Sequence, residues 1–275
     1  MKTEDLKKKA LSIRLNTLKA IQKSGFMGVG SAMASVEIIT SLYYGDINLK
    51  AVFNVSPFKP GWEGQDYFIL GKGEATPVLY SVLADKGFFD ESELNFFAQV
   101  NSFLQARPFY KVPGVGLSVF SSFHALSQAL GLALSLKSEK KDNKVFCLID
   151  SSQFQSGQIF EALTMASHHN LNNLILVIDD SGNQEEGLIR SVVEIGFLQN
   201  KIDSFGWQVY RVSDGHNFDE ILNAFSKAFN IMRRPVCLWC NTVSGKGVPL
   251  IEGKEDYFFA GLSENELNLI SQNIK

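Results

Sequence analysis

Apolar and polar residues follow two different periods along the chain, and the second half shows the clearest order. Four near-continuous apolar runs predict strands, at about 144–149, 173–179, 207–212 and 235–239. Between them, three amphipathic segments predict helices, at about 157–168, 192–205 and 217–230. Strands that are apolar on both faces are typical of a parallel sheet covered by helices on both sides. The pattern therefore predicts a doubly wound α/β fold with a mostly parallel sheet.

The first half of the chain is more helical. Apolar residues at helical spacing predict helices at about 3–24, 31–44, 75–86, 91–97 and 121–137, and one short strand at 67–70. No linker persuasively divides the chain into two parts. We therefore expect a single domain over residues 1–275, with a helical half up to about 137 and an alternating β/α half from about 138.

Composition and charge exclude several classes of function. Apolar residues make up 45% of the chain and charged residues 20%, which is typical of a globular protein. The formal net charge of −3 gives no electrostatic basis for binding nucleic acid or an anionic membrane surface. The apolar runs are too short to span a bilayer, and from its charge we expect the N-terminal segment to be an amphipathic helix and not a signal peptide. With three cysteines and no disulfide framework, we expect a soluble protein of the cytoplasm.

The spacing of Cys237 and Cys240 invites comparison with metal-binding and redox motifs. Both residues lie in a short apolar run that predicts a buried strand. Residues three apart on a strand point to opposite faces of the sheet. We therefore expect two separate, structural cysteines.

Polar loops follow two of the predicted strands. Residues 150–157 come directly after the first strand of the second half, and residues 179–184 follow the next one. Ligands of open parallel sheets bind beyond the carboxyl ends of the strands. Such loops could hold a divalent cation and a phosphate, although simple turns that cap the following helix give the same pattern.

Several segments occur together in an order that identifies a family. The chain contains, in sequence order, KSGFMGVGS at 23–31, VEIITSLYYG at 36–45, DYFILGKGEATPVLY at 66–80, PGVGLS at 113–118, GQIFEA at 157–162, FGW at 205–207, DGH at 214–216 and TVSGKGV at 242–248. Over nearly its whole length the chain resembles the N-terminal, thiamine diphosphate-binding half of a transketolase. The resemblance implies the fold of that half, a magnesium ion with thiamine diphosphate, and transfer of two-carbon ketol units between sugar phosphates.

The metal-binding positions depart from the family pattern. Aligned on Gly157, the family's Gly-Asp-Gly motif falls on Asp150, Ser151 and Ser152, so that a serine stands where the family has its metal-binding aspartate. The family's second ligand, an asparagine, falls on Ser181. Magnesium prefers close to six oxygen ligands with a carboxylate among them, and only the neighbouring Asp150 or Asp180 could substitute. We therefore expect no metal and no bound cofactor.

The cofactor-facing glycines are also replaced. Where the family has Ser-Thr-Gly-Ser-Leu-Gly, this chain has 118-SVFSSF-123, which places Phe120 and Phe123 where glycine lets the backbone approach the cofactor. We expect both phenyl rings to crowd that space. By this resemblance, the remnant of the cofactor site consists of Asp150, Ser151, Ser152, Gln153, Phe120, Phe123 and Gly157.

Histidines that contact cofactor or sugar in the family are replaced as well. The corresponding positions are Gly28 or Phe26 (depending on where a gap is placed), Glu74, Arg107 and Phe258. Imidazole titrates near neutral pH and can transfer a proton, whereas glycine and phenylalanine cannot, and arginine does not deprotonate. We therefore assign no catalytic residue.

Three functions remain open on this basis. The first is a non-catalytic, transketolase-like scaffold or regulator that forms a homo-oligomer, pairs with a C-terminal-half subunit, or does both. The second is a working N-terminal subunit in which Asp150 or Asp180 holds magnesium. The third is a binding protein for a different ligand, in a cleft made apolar by Phe26, Phe120, Phe123 and Phe258 and crossed by a Glu74–Arg107 ion pair.

Overall fold

A computed structural model gives the fold of residues 1–273. Its ten helices, α1 to α10, span Thr3–Ser24, Val29–Ala34, Val36–Tyr44, Thr76–Asp85, Ala125–Ser138, Gly157–His168, Ile189–Val192, Leu198–Ser204, Phe218–Phe229 and Glu264–Asn273. Its nine strands, β1 to β9, span Asp46–Ile47, Lys50–Ala51, Tyr67–Leu70, Val145–Asp150, Leu174–Asp180, Asn183–Gln184, Gly187–Leu188, Gln208–Val212 and Val236–Asn241. In this part of the chain, none of the helices is long and apolar enough to cross a membrane.

Five strands form one sheet, in the order β3-β4-β5-β9-β8. Every neighbouring pair in that sheet is parallel. All five carboxyl ends therefore lie at the same edge, where Asp150 pairs in register with Asp179, and Asp180 with Asn241. The predicted strands of the second half and the strand at 67–70 are confirmed within one or two residues.

Helices cover both faces of the sheet, because alternate strand residues point to two separate hydrophobic cores. On β4, Phe146 and Leu148 belong to the first core, which is built with α1, α3, α4 and α9. Val145, Cys147 and Ile149 belong to the second core, built with α5, α6 and α8. This arrangement confirms the predicted doubly wound α/β fold.

The two cysteines of β9 follow the same alternation. Cys237 lies in the second core and Cys240 in the first. Both are fully buried and free, and burial raises the pKa of each thiol. The expectation that they are separate structural residues is confirmed.

Two helix predictions in the first half are corrected. The helix expected at 31–44 is two helices that meet at Ser35, whose backbone amide donates to the carbonyl of Ala32 in a 3₁₀-type bond. The segment at 91–97 is a 3₁₀ helix from Glu91 to Phe96. The side chain of Ser35 donates to Asp179, so a contact with the distant sheet accompanies this break.

The helix expected at 192–205 is also wrong in its first half. The chain is not helical between α7 and α8, and Gly196 adopts a φ of 63° there, a left-handed conformation that ends regular helix. Ahead of this region, the short antiparallel pair β6 and β7 was not predicted. Their two-residue strands are too short to give any hydrophobic period.

Candidate functional site

Charged and polar side chains gather at the carboxyl edge of the sheet. Asp150 ends β4, and Asp179 and Asp180 end β5. Lys72 follows the end of β3 by two residues. Since these strands are neighbours and parallel, all four residues lie at the same edge of the sheet, and Lys72, Asp150 and Asp179 form one cluster there.

Lys72 forms the centre of this cluster, although the sequence analysis gave it no role. Its side chain is fully buried, with Nζ 2.8 Å from Asp179 Oδ2 and 3.4 Å from Asp150 Oδ2. The side chains of Ser35 and Thr242 also donate to Asp179. One buried ammonium group therefore serves two buried carboxylates.

The charged groups of this cluster shift one another's pKa values. Burial opposes the charge of Lys72, but the neighbouring Asp179 and Asp150 outweigh that cost and raise its pKa above the usual value. Burial likewise opposes the charge of Asp179, yet Lys72 and three donated hydrogen bonds hold its pKa below the ordinary range. For Asp150, burial prevails over the attraction of Lys72 and raises the pKa to about 6.

The two serines at the expected metal-ligand positions have different surroundings. Ser151 Oγ donates to Asp180 Oδ1 over 2.6 Å, and the indole of Trp239 donates to Asp180 Oδ2 over 2.7 Å. Ser181 Oγ is buried and has no hydrogen-bond partner. Both oxygens of Asp180 are therefore engaged within the protein.

A cleft of about 660 Å³ opens beside these side chains and is called the edge cleft below. Its lining includes eight residues that the sequence analysis singled out: Glu74, Arg107, Phe120, Phe123, Asp150, Ser152, Gln153 and Phe258. Phe120 is 71% exposed and Phe123 48% exposed, so both rings stand at the open side of the cleft. Glu185 and Glu186, which the sequence analysis did not consider, also line it.

The predicted ion pair between Glu74 and Arg107 is present. Arg107 Nη1 lies 3.5 Å from Glu74 Oε1. The guanidinium lies directly over Gly73, where an added Cβ would come within 1.1 Å of Nη1. On the other side, a Cβ at Gly28 would come within 2.8 Å of Glu74 Cγ. Residues 28, 74 and 107, which stand at three positions where the family has histidine, therefore lie together.

The expectation of an apolar cleft is wrong in two respects. Phe26 does not line the edge cleft; its ring packs edge-to-face against Phe97, with the ring centroids 5.1 Å apart. Four carboxylates and only one guanidinium line the cleft, which makes it acidic. Gly157 begins α6 outside the lining.

No histidine lines the edge cleft, and His216 is held elsewhere by two hydrogen bonds. Its Nδ1 lies 2.9 Å from Glu37 Oε2, and its Nε2 accepts from the backbone amide of Val243 over 2.8 Å. Glu37 also pairs with Arg14, which is buried as well. With both ring nitrogens engaged, His216 has a structural role.

The two positions that hold magnesium in the family offer it no carboxylate in this chain. Ser151 and Asp180 satisfy each other, and Asp150 faces the ammonium of Lys72. The positions of the family's aspartate and asparagine ligands both hold serines, Ser151 and Ser181. A diphosphate without its metal would meet four carboxylates at the cleft wall, where like charges repel.

Sequence reasoning could have found one of the residues it missed. Lys72 is a lone cation that follows an apolar strand directly and lies between Gly71 and Gly73, a place where a charge must be buried or functional. Its partner Asp179 is more than a hundred positions away, so only the sheet order identifies the pair. Glu185 and Glu186 gave no signal, because they lie in an unpredicted hairpin.

The chain matches known proteins over almost its whole length. The family model described as transketolase, thiamine diphosphate binding domain, matches residues 6–274. A 6-deoxy-6-sulfo-D-fructose transketolase subunit, SqwG, of Clostridium sp. (strain MSTE9) is 31% identical over 91% of this chain and 89% of its own length. One of the apulose-4-phosphate transketolase subunits of Phocaeicola vulgatus is 26% identical over 92% of this chain and 88% of its own.

Longer relatives match through one part only. Human transketolase is 28% identical over 99% of this chain, which spans 42% of that protein. The crystal structure of transketolase from Campylobacter jejuni superposes with a TM-score of 0.88 at 23% identity, over the whole of this chain and 43% of that one. That likeness shows the same fold. The chain therefore belongs to the transketolase family, as a thiamine diphosphate-binding domain by descent.

Proposed function

We propose that this chain is a non-catalytic N-terminal-type subunit of a transketolase-like assembly, in which it acts as a single-domain scaffold or regulator in the cytoplasm. One observation carries the proposal: the side chains at the expected metal site bond to one another. Ser151 donates to Asp180, Trp239 holds the other oxygen of Asp180, and Lys72 lies against Asp150. Binding magnesium would require these bonds to be broken.

Charge supports the same conclusion. The edge cleft places Glu74, Asp150, Glu185 and Glu186 around a space with one guanidinium, that of Arg107. A diphosphate group carries two or more negative charges at neutral pH. Without a metal to neutralise them, repulsion at the cleft wall opposes binding.

The imidazoles that transfer protons in the family are missing here. The positions that carry histidine in the family hold Glu74 and Arg107, paired with each other, and Phe258, whose ring cannot exchange a proton. No imidazole replaces them in the lining of the edge cleft. The arrangement supports a subunit that does not catalyse ketol transfer by itself.

The assembly proposed for this chain follows its relatives. Two similar proteins, from Clostridium and Phocaeicola, are named as transketolase subunits, and this chain covers almost nine tenths of each. We therefore propose that its partner is a C-terminal-half subunit, with homo-oligomers as a further form.

The test is isothermal titration of the chain with thiamine diphosphate and magnesium, alone and in complex with a C-terminal-half subunit. We expect no heat of binding at millimolar cofactor in either preparation. Metal-dependent binding at micromolar concentration would contradict the proposal, and a ketol-transfer assay would then measure the activity directly.

A matched variant separates the loss of ligands from the crowding of the site. Ser151→Asp with Ser181→Asn restores both side chains that the family pattern predicts. We expect this double variant to remain unable to bind thiamine diphosphate, because Phe120, Phe123 and the cleft carboxylates are unchanged. Tight binding by the double variant would show that the metal ligands alone were missing.

A second candidate is a working subunit that transfers two-carbon ketol units, with thiamine diphosphate and magnesium bound through substitute ligands. One observation favours it: Asp150 Oδ2, Gln153 Oε1 and Ser181 Oγ are buried without hydrogen-bond partners. Such oxygens could turn to a metal ion once Asp150 leaves Lys72. The titration described above distinguishes the two candidates.

A further inference from the structure

The edge cleft holds more negative charge than its own cations neutralise. Glu74 is paired with Arg107 at 3.5 Å, and Asp150 shares the single ammonium of Lys72 with Asp179. Within residues 1–273, neither Glu185 nor Glu186 has a cationic partner, although Glu186 Oε2 accepts a hydrogen bond from Gln184 Nε2 over 2.6 Å. Carboxylates on the wall of a concave site concentrate the field that attracts a cation.

Two residues of the lining each have a buried acceptor atom without a hydrogen bond. Asp150 is 5% exposed and its Oδ2 accepts no hydrogen bond, although the Lys72 ammonium is 3.4 Å away. Gln153 is 4% exposed; its Nε2 donates to the carbonyl of Gly71, whereas its Oε1 has no partner. A buried acceptor without a donor is unfavourable, and a donor brought by a ligand would recover part of that cost.

Aromatic rings complete the lining. Phe120 and Phe123 are exposed at the mouth, and Phe258 and Phe259 also line the cleft. A phenyl ring presents a negative face that attracts an ammonium or guanidinium group, and it packs against an apolar skeleton. Arg107 Nη1 is the one buried donor in the lining without a hydrogen bond, and it faces Glu74.

From excess carboxylates, orphaned acceptors and aromatic rings together, we infer that the edge cleft binds an organic cation, an ammonium or guanidinium group on an apolar skeleton. The inference rests on the proposed function, because it requires that the diphosphate no longer binds. Carboxylates and the two orphaned oxygens would receive the N–H groups, and the phenyl rings would cover the carbon skeleton. The cation can belong to a free amine or to a lysine or arginine of the partner subunit.

Three small probes of one shape and different charge test the inference. Phenethylamine is the cation, 2-phenylethanol the neutral analogue and phenylacetate the anion, each titrated into the purified chain at pH 7.5 by saturation-transfer NMR. We expect phenethylamine to bind about ten-fold more tightly than the alcohol, and phenylacetate not to bind. Equal binding of all three probes, or preference for the anion, would overturn the inference.

Protein variants locate the binding. Glu185→Gln with Glu186→Gln removes two exposed cleft charges, and we expect it to weaken phenethylamine binding about ten-fold. The matched control is Glu63→Gln with Asp142→Asn, which removes two exposed charges that do not line the cleft. If both double variants weaken binding equally, general charge attraction is responsible and the inference fails.

The source of the cation is resolved by repeating the titration on the complex with a C-terminal-half subunit. Retained phenethylamine binding indicates a free amine as the natural ligand. Lost binding, together with a weaker complex for Glu185→Gln/Glu186→Gln than for the control, indicates a partner side chain. The two proposals fail in different ways. Binding of thiamine diphosphate would overturn both the proposed function and the cation site, whereas absence of binding by every probe would overturn the cation site alone.

Discussion

Two buried groups of charged side chains differ in how completely they are paired. In the group formed by Arg14, Glu37 and His216, every member has polar partners on both sides: Arg14 Nε donates to the carbonyl of Lys246, and both oxygens of Glu37 are engaged. The group formed by Lys72, Asp150 and Asp179 lies at the carboxyl edge of the sheet. There one ammonium serves two carboxylates, and Asp150 Oδ2 has no hydrogen bond.

The difference indicates what each group does. A fully satisfied network fixes the packing of α1, α3 and the loop before α9, and it needs nothing from outside. An incompletely satisfied network at an open cleft carries a free-energy cost, which folding alone does not explain. The unpaired acceptor therefore points to a ligand at the edge cleft, whereas the Arg14 group needs none.

The largest expected effect is on Lys72. Lys72→Met leaves Asp150 and Asp179 buried without their cation, and we expect the free energy of unfolding at pH 7.5 to fall by about 3–5 kcal/mol. Urea denaturation measures it. The control Lys7→Met removes an exposed lysine paired with Glu4 and should leave the free energy of unfolding unchanged within experimental error. A loss below about 1 kcal/mol at Lys72 would mean that the two carboxylates are already protonated.

Asp150 should make stability depend on pH. Its pKa is about 6 in the folded protein, above the ordinary value of an aspartate, so the unfolded chain releases this proton first as pH rises from about 4. The wild type should therefore lose roughly 2 kcal/mol of stability relative to Asp150→Asn between pH 4 and pH 7.5. Urea denaturation across this range measures the difference, and the exposed Asp142→Asn serves as control. A difference independent of pH would contradict the raised pKa.

Substitutions of His216, in the fully paired group with Arg14 and Glu37, should lower the free energy of unfolding less than Lys72→Met does. Each of two variants removes a different contact of the imidazole. His216→Asn retains a donor near the place of Nδ1 and loses the acceptor for the Val243 amide, whereas His216→Gln retains that acceptor and loses the contact with Glu37. We expect each variant to cost about 1–2 kcal/mol, measured by urea denaturation. A loss as large as that of Lys72→Met in either variant would remove the contrast between the two groups.

Most of the fold could be predicted from the sequence, because its main elements carry strong periods. The apolar runs of β4 and β5 and the stripe of α1 gave bounds close to those observed. The errors lie where a distant contact or a backbone conformation determines where a helix ends. Ser35 bonds to the distant Asp179, and Gly196 has a positive φ.

The site was less predictable, for reasons of the same kind. Glu74 and Arg107 could be paired because both fall on family positions that lie together. Phe26 was expected in the same cleft, yet its ring turns to Phe97, a choice that sequence position does not determine. The acidic character of the cleft comes from the hairpin that carries Glu185 and Glu186, whose short strands left no pattern.

The smallest expected effect is on Gly73, and it tests whether the pairing of Arg107 limits the charge of the edge cleft. The added Cβ of Gly73→Ala would lie 1.1 Å from Arg107 Nη1, so the guanidinium must shift, and we expect the shift to break its contact with Glu74. Because Arg107 is flexible and the pair is partly exposed, stability should change by less than about 1 kcal/mol.

Phenethylamine should bind Gly73→Ala about two- to three-fold more tightly than the wild type, since Glu74 then adds an unpaired carboxylate to the cleft. The ¹⁵N resonance of Arg107 Nε reports whether the guanidinium has moved. Gly131→Ala, in α5 with no atom near its new Cβ, is the matched control and should leave both measurements unchanged. If the Arg107 resonance shifts while the affinity stays constant, Glu74 does not contribute to cation binding, and Asp150, Glu185 and Glu186 carry it without that residue.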